Sequence, residues 1–329
     1  MKKRFAWLVA LVIAATPTTA ATAVENGVSA AGDNRIVAIY KGSENLGLTW
    51  IQFPMCSAYL ISNRIAVTAQ HCTMDRETDG PRDISTLFVG LPGSKTTLEK
   101  GNHTAVSAIF RAKNFKFYDI RTDLSYQNDV AVLVLSKPIA GVSNAKLLNE
   151  KEFLEFVAQD PEVWIGGYGY QTVEERSVIA DARRIFPAKA PARFAADKDY
   201  RAAISELKAK WGRTNYQESL VGLSMPASTG TICDVDSGAG FWSKSDTQTI
   251  YLGVMNGPLG GPNCQGQPPI WPITFNGVHP TYKYQNLFDS ASAYVKAHPV
   301  NSTVTCKKGK LTKRITAANP KCPAGYKKS

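Results

Sequence analysis

The chain has 329 residues, of which 44% are hydrophobic and 20% are charged, and its formal net charge is +11. The hydrophobic content excludes a disordered chain and is enough for one large domain or two small ones. The charge is confined to the two ends. Residues 1–23 carry three positive charges, residues 299–329 carry eight, and neither end contains an acidic residue. Residues 24–298 are therefore neutral, which argues against nucleic-acid binding by the main body.

The N-terminus has the pattern of a secretory signal peptide, which we place at residues 1–23. A basic start at Met1–Arg4 precedes an apolar run from Phe5 to Ala15 and a small-residue exit at Ala21-Thr22-Ala23. A buried N-terminal helix would not need this order of charged, apolar and small residues. The apolar run is too short for a stable anchor, and no later segment reaches the ~18 apolar residues of a membrane span. We therefore expect a secreted, soluble protein.

Six cysteines fall into three neighbouring couples: Cys56 with Cys72, Cys233 with Cys264, and Cys306 with Cys322. An even number of cysteines in an exported chain favours disulfides over metal ligation or reactive thiols. Spacing alone leaves the connectivity open, because six cysteines can pair in many ways. The sequence contains no Cys-x-x-Cys, which argues against a zinc ribbon. We expect no metal and no cofactor.

Much of the main body has the pattern of short strands, rich in Val, Ile, Leu and Tyr and bounded by Gly, Pro, Asn or Asp. The predicted strands include Arg35–Tyr40, Ala58–Ile61, Ile65–Thr68, Val130–Leu135, Val163–Gly166 and Ile250–Val254. Many short strands separated by turn residues favour a sandwich or a barrel over alternating strands and helices. The expected fold class is therefore all-β.

Two segments have helical periodicity. In the first, large side chains recur at Tyr200, Ile204, Leu207 and Trp211, and Gly212 supplies a stop signal. The second covers about Tyr282–Ala297, has one apolar side, and ends before Pro299. We interpret both as packing helices rather than ligand sites.

Residues 299–329 form a separate short tail. Cys306 and Cys322 enclose a lysine-rich loop, and the tail has too few large apolar residues for a core of its own. In the chain-entropy model a disulfide that closes a loop of about 15 residues contributes roughly 3 kcal/mol, enough to hold a hairpin-like unit. Two interpretations remain open: a solvated, stapled tail, or an attachment device for anionic cell-surface polymers.

Three segments of the main body carry residues suited to nucleophilic catalysis. His71 follows a predicted strand, Asp129 precedes another, and Ser237 follows Cys233 in the loop Cys233-Asp234-Val235-Asp236-Ser237-Gly238. A serine hydroxyl needs a base within reach, a histidine supplies one near neutral pH, and a buried carboxylate fixes the histidine tautomer. We predict Ser237 as nucleophile, His71 as general base and Asp129 as the residue that orients His71. The remaining histidines, His103, His279 and His298, lack such surroundings and are assigned no role.

At these residues the chain resembles the chymotrypsin/trypsin-type serine proteases, in which histidine, aspartate and serine follow one another in that order. The resemblance runs from about Val24 to His298 and includes Gly167-Tyr168-Gly169, Gly253–Gly257 and Gly277-Val278. It implies two six-stranded antiparallel β-barrels with the active site between them, an intermediate helix and a C-terminal helix. It also implies disulfides Cys56–Cys72 and Cys233–Cys264, and the tail couple adds Cys306–Cys322.

The resemblance also gives domain boundaries. We expect a secreted bacterial member of the family with a signal peptide at 1–23, an N-terminal barrel at 24–150 and a C-terminal barrel at 151–298. The basic, disulfide-stapled tail follows at 299–329.

The serine loop departs from the family pattern. The family has Gly-Asp-Ser-Gly-Gly-Pro where this chain has Val235-Asp236-Ser237-Gly238-Ala239-Gly240. The resemblance makes the N–H groups of Val235 and Ser237 the oxyanion hole, and a β-branched valine restricts the backbone there. It assigns Thr231, Asn256 and Gly277 to the specificity pocket. Threonine supplies no charge at the base of that pocket, so we expect uncharged residues on the acyl side of the cleaved bond.

The predicted function is a cofactor-free, secreted serine endopeptidase that acts on protein or peptide substrates through an acyl-enzyme. One alternative is a protease-fold protein that binds a partner with little or no catalysis, and Val235 favours it. Another makes the basic tail the main functional element and the barrels its carrier.

The resemblance further implies an activation pair, in which a new N-terminus at Val24 folds inward onto Asp236. Val24 directly follows the small-residue exit, so we expect signal peptidase itself to create this terminus. Arg35-Ile36-Val37 is a competing cleavage site.

Overall fold

Strands are the most frequent regular secondary structure in the described part of the chain. A computed structural model describes residues 27–43, 50–75, 77–91, 103–116, 127–169, 188–211, 221–226, 236–245, 248–259, 273–317 and 321–329. The predicted signal peptide lies outside these ranges. The first eight strands are β1 (Val28–Ser29), β2 (Ile36–Ser43), β3 (Trp50–Ser62), β4 (Ile65–Thr68), β5 (Leu87–Gly90), β6 (His103–Arg111), β7 (Ala131–Leu135) and β8 (Lys146–Leu147).

Nine further strands follow, together with the helices. The strands are β9 (Val163–Gly167), β10 (Ala188–Phe194), β11 (Val221–Pro226), β12 (Gly240–Lys244), β13 (Thr249–Leu259), β14 (Ile273–Pro280), β15 (Ser302–Lys308), β16 (Leu311–Ala317) and β17 (Lys327–Lys328). Within the described ranges the α-helices are α1 (Glu150–Val157), α2 (Asp197–Trp211) and α3 (Gln285–Ala297).

The first six-stranded barrel has the order β2-β3-β4-β7-β6-β5 and closes through the pairing of β2 with β5. In β4 and β7 every residue is buried. These strands are apolar on both faces because one face fills the barrel while the other is covered from outside, β7 by α3. The predicted strand Ile65–Thr68 matches β4, and Val130–Leu135 differs from β7 by one residue.

The second barrel has the order β9-β10-β11-β14-β13-β12 and closes through the pairing of β12 with β9. β1 adds to the β10 side, and β8 pairs in parallel with β13. Two six-stranded antiparallel barrels confirm the predicted fold class. The barrels pack through an aromatic stack, in which the ring of Tyr59 from β3 lies 4.8 Å from that of Trp242 and 5.2 Å from that of Tyr251.

The helices agree with the sequence periodicity in type. The predicted intermediate helix is α2, which ends at Trp211 next to the predicted stop. The predicted C-terminal helix is α3, but residues Thr281–Tyr284 form a 3-10 turn before it, so the α-helix begins later than Tyr282. Helix α1 was not predicted. Its N-terminus is a capping box, in which Asn149 and Glu152 each accept a backbone N–H of the other at 3.0 Å.

Each barrel receives one end of the protease-like part of the chain. β1 falls within the range expected for the N-terminal barrel, yet it pairs with β10 of the second barrel. Helix α3 leaves the second barrel and packs on β6 and β7 of the first. Buried Arg64 fixes this helix, since its Nε donates to the carbonyl of Leu135 (3.1 Å) and its Nη1 to that of His298 (2.8 Å). The boundaries at 150 and 298 stay predictions.

The C-terminal tail forms its own sheet, with the order β16-β15-β17. The disulfide Cys306–Cys322 is present, and Cys306 is fully buried. The hairpin-like unit expected from the cysteine spacing is therefore a three-stranded sheet. None of the described helices has the length and apolar character needed to cross a membrane.

Candidate active site

His71 and Asp129 meet because of the register between β4 and β7. These strands are antiparallel and Thr68 pairs with Ala131, so the residues after β4 lie beside those before β7. His71 is in a 3-10 turn, Gln70–Thr73, that directly follows β4. Before β7, Asn128 has a positive φ of 51°, a conformation that asparagine tolerates. The next residue, Asp129, faces His71.

The carboxylate of Asp129 holds His71 at two points. The His71 backbone N–H donates to Oδ1 at 2.8 Å, and the His71 Nδ1 lies 2.7 Å from Oδ2. Asp129 is fully buried and His71 is 6% exposed. An ionised carboxylate can only accept hydrogen bonds, so Nδ1 carries the proton and Nε2 is the basic nitrogen of this tautomer. This is the tautomer that a general base requires.

The Ser237 loop docks against the same turn. The Ser237 carbonyl accepts a hydrogen bond from the Ser57 backbone N–H at 2.8 Å, and the Cys72 Sγ lies 3.6 Å from the same oxygen. Gly238 has a φ of +84°, and a side chain there would collide with Thr68 and with the Ser57 carbonyl. Only glycine therefore allows the loop to approach the end of β4 this closely. The Ser237 residue itself is partly exposed.

The disulfide Cys56–Cys72 ties these parts together. It joins β3 to the residue that follows His71, as the resemblance implied. The next residue, Ser57, contacts three neighbours: its N–H donates to Ser237, its carbonyl accepts from Thr68 Oγ1 (2.7 Å), and its hydroxyl accepts from the Tyr168 N–H (2.8 Å). One short segment of β3 therefore connects the histidine turn, the serine loop and the second barrel.

Asp236, the acid just before Ser237, is buried beside Gly167-Tyr168-Gly169. Its Oδ1 accepts the Gly169 N–H at 2.7 Å, and the carboxylate is completely shielded from solvent. A side chain at position 167 or 169 would collide with this carboxylate, which explains both glycines of the motif. The proposed partner of Asp236, Val24, lies outside the described residues.

Several predicted site residues cannot be placed in this geometry. Val235 and Thr231 lie outside the described residues, as do Cys233 and Cys264. Asn256 is described only as part of the backbone of β13. Gly277 is buried in β14, where it pairs with Gly222 and Gly257. The oxyanion hole, the specificity pocket and the second disulfide therefore stay predictions.

Within the described ranges, one group of side chains has the spacing of a metal site: Cys56, His71 and Cys72, whose ligand atoms lie within 4.8 Å of one another. The two cysteines are bonded to each other and provide no thiolate, and the His71 Nδ1 is engaged by Asp129. These three side chains therefore do not offer the two thiolates and the free Nδ1 that a metal site with this spacing would need.

His279, to which we assigned no role from the sequence, and Tyr284 both interact electrostatically with Asp129. The Tyr284 hydroxyl is 3.1 Å from His279 Nδ1 and 3.4 Å from the Asn128 side-chain oxygen. Burial lowers the pKa of His279 to about 4, with Lys283 acting in the same direction and Asp129 against it. His279 is therefore neutral at neutral pH. No sequence motif marks the pair, since β14 and the 3-10 turn bring it to Asp129 only in the folded protein.

Two closed six-stranded barrels, with a histidine–carboxylate pair and a serine loop at their junction, define the chymotrypsin/trypsin class of serine protease folds. The family model described as Trypsin matches residues 26–185, and this match supports a chymotrypsin/trypsin-type serine protease domain. The matched segment contains His71 and Asp129 and ends before Ser237. No curated protein matches the chain.

His279 makes stability depend on pH. Its pKa is about 4 in the folded protein and near 6.5 when unfolded. Between these values the unfolded chain binds the extra proton, so stability is lost as pH falls from 6.5 towards 4, by roughly 3 kcal/mol in total. His279→Gln should flatten this part of the pH profile of the unfolding free energy, measured by urea denaturation. His298→Gln, at an exposed histidine, serves as the control, and equal slopes in wild type and His279→Gln would contradict the assignment.

Proposed function

We propose that the protein is a secreted serine endopeptidase that hydrolyses peptide bonds through an acyl-enzyme. The observation that carries the proposal is the buried Asp129–His71 pair, with its 2.7 Å contact at Nδ1, beside the docked Ser237 loop. With Nδ1 engaged by Asp129, Nε2 is the ring nitrogen that can accept a proton. A base of this kind activates a serine hydroxyl that lies within hydrogen-bond reach of it, and Ser237 is the serine we propose.

The reaction has two halves. The Ser237 Oγ attacks the substrate carbonyl carbon while His71 Nε2 takes the hydroxyl proton, giving a tetrahedral intermediate with a negatively charged oxygen. Collapse of this intermediate breaks the C–N bond, and His71 returns the proton to the leaving amine. Water then attacks the acyl-enzyme with the same proton transfers in reverse, which releases the acid and restores Ser237.

Asp129 contributes by position and by charge. Because its two oxygens hold both the backbone and the ring of His71, the imidazole is oriented before substrate arrives. The buried carboxylate also stabilises the imidazolium that forms with each proton transfer. The N–H groups of Val235 and Ser237 are the proposed donors to the developing oxyanion, which is the largest electrostatic term in catalysis of this kind.

The serine loop is anchored on both sides of the nucleophile. Asp236 is held by the Gly169 N–H, the Ser237 carbonyl by the Ser57 N–H, and Gly238 packs against Thr68. A loop held by its own backbone groups needs little reorganisation when charge develops on the substrate. This anchoring supports an active enzyme over a protease-fold protein that only binds a partner.

Secretion is supported by the disulfides Cys56–Cys72 and Cys306–Cys322 of the described residues and by the leader-like N-terminus. Structural disulfides persist in oxidising compartments and are rare in the cytosol. The substrates we propose are proteins or peptides with an uncharged residue on the acyl side of the cleaved bond, because Thr231 brings no charge to the pocket.

The first test is covalent labelling with a fluorophosphonate, which reacts with activated serines. Wild-type protein should be labelled at Ser237, and Ser237→Ala and His71→Ala should not be labelled. Ser245→Ala, which changes a serine in another exposed loop, should label like the wild type. Mass spectrometry locates the adduct. Labelling that persists in folded Ser237→Ala would remove Ser237 as the nucleophile, and an unreactive wild type would favour the binding-protein alternative.

The second test addresses the oxyanion hole. Val235→Gly should raise kcat on a peptide ester by several-fold, because glycine relieves the backbone restriction at a proposed oxyanion donor. Val235→Ala removes only the β-branch and should give an intermediate rate. If kcat is unchanged or lower in Val235→Gly, valine is already compatible with the donor geometry.

The third test addresses activation. Ile36 is buried in β2, paired with Tyr59, and the Arg35 carbonyl accepts the Leu60 N–H at 2.7 Å, so a cut between Arg35 and Ile36 would break an anchored strand. We therefore expect N-terminal sequencing of the secreted, active protein to begin at Val24. Asp236→Asn should lower its activity, because the buried amide cannot neutralise the new ammonium group. A mature start at Ile36 would overturn the proposal.

A further inference from the structure

One face of the C-terminal sheet carries only threonine and cationic side chains. Side chains alternate between the two faces along each strand, and directly paired residues share a face. Thr305 pairs with Arg314, Lys307 with Thr312, and Lys307 also with Lys327. We call this the threonine–lysine face and define it by Thr305, Lys307, Thr312, Arg314, Thr316 and Lys327.

The end of the chain packs against part of the opposite face of the sheet. Cys306 on that face is buried and bonded to Cys322. The Lys313 Nζ lies 5.2 Å from the centre of the Tyr326 ring, and the end of the Lys308 side chain approaches Gly325. Residues 321–326 therefore pack against part of the opposite face, whereas none of the six residues of the threonine–lysine face is buried. All of its members except half-buried Thr305 are exposed.

The positive charges on the threonine–lysine face repel one another. Lys307 and Lys327 are directly opposed on neighbouring strands, an arrangement that destabilises a sheet. The tail has eight cationic side chains and no acidic one that could neutralise them. Repulsion between these like charges therefore lowers the stability of the sheet. A bound polyanion would neutralise the charges and remove this repulsion.

The arrangement of the charges fits a repeating anion. Arg314, Lys307 and Lys327 lie on three adjacent strands and form a diagonal row, with neighbours about 5–8 Å apart. Threonine hydroxyls between and beside them can donate and accept hydrogen bonds. The face thus offers three cations in one row across the sheet, together with partners for the hydroxyl groups of a ligand.

The composition of the face favours one kind of polyanion. It carries no aromatic side chain on which a nucleic-acid base could stack. It carries no apolar side chain that could enter the hydrocarbon of a membrane. We propose that the threonine–lysine face binds an anionic carbohydrate or polyol polymer with repeating phosphate, sulfate or carboxylate groups. If the tail is an attachment device, this face is the part of it that binds the polymer. The proposal does not depend on the peptidase chemistry.

The test compares two variants of the full chain that lose the same charge from opposite faces. K307Q/R314Q/K327Q alters the threonine–lysine face, and K308Q/K313Q/K328Q alters the opposite face. The probes are heparin and polygalacturonate, immobilised for binding measurements, with neutral dextran as the blank. The first variant should lose at least about tenfold in affinity for both polymers, and the second less than about threefold. Hydrolysis of a peptide ester should be the same in all three proteins, which separates this result from any failure of the peptidase proposal.

Two further measurements complete the design. Thr305→Val/Thr312→Val, which keeps the charge, should weaken binding to polygalacturonate by a few-fold if the hydroxyls contribute. Oligo(dT) and phosphatidylglycerol vesicles are tested at the same ionic strength and should bind more weakly than heparin. Equal losses in the two charge variants would overturn the proposal in favour of diffuse basic charge. Tighter binding of oligo(dT) or of the vesicles would assign the face to a nucleic acid or a lipid surface instead.

Discussion

The short segment Cys56–Ser57 is the constraint on which the rest of the site depends. Its disulfide fixes the residue next to His71, and Ser57 binds Ser237, Thr68 and Tyr168 through its N–H, its carbonyl and its hydroxyl. All of these contacts are buried, where a missing partner would cost about 1–3 kcal/mol. The same two residues therefore fix the position of the second barrel against the first and the distance between the histidine turn and the serine loop.

Two fully buried carboxylates lie on either side of this segment, and the fold stabilises them in similar ways. Asp129 accepts the backbone N–H of His71, and Asp236 accepts that of Gly169. A buried charge without such donors would be strongly unfavourable. Hydrogen bonds from fixed backbone N–H groups offset the cost of burying each charge. The close approach of these groups explains the glycines around Asp236, and the placement of Asp129 explains the left-handed Asn128. The acids therefore order the loops that surround them.

The sequence was sufficient for the elements whose pattern is local. Apolar strands such as Ile65–Thr68, the periodicity of α2 and the order of His71, Asp129 and Ser237 all lie within short windows. Asn149 and Glu152 also have the spacing of a capping box in the sequence. Helix α1 has only eight residues, however, and its apolar face is too short to give a clear helical period. Other features depend on distant pairing. The attachment of β1 to the second barrel and the approach of Tyr284 to Asn128 join residues about 150 positions apart, which no window of a single sequence reveals.

The exchange of chain ends between the barrels affects the order in which the protein can assemble. A chain is synthesised from its N-terminus, and β1 has no partner until β10 has been made. Arg64 and strand β7 gain their C-terminal partners even later. The carbonyl of His298 that Arg64 binds is 234 positions further along the chain, and helix α3, which packs on β7, directly precedes it. Contacts of such separation make folding slow. The strand that positions Asp129 thus gains its outer cover only when almost the whole chain exists, so in a growing chain the histidine–aspartate pair lies in a barrel whose outer side is still uncovered.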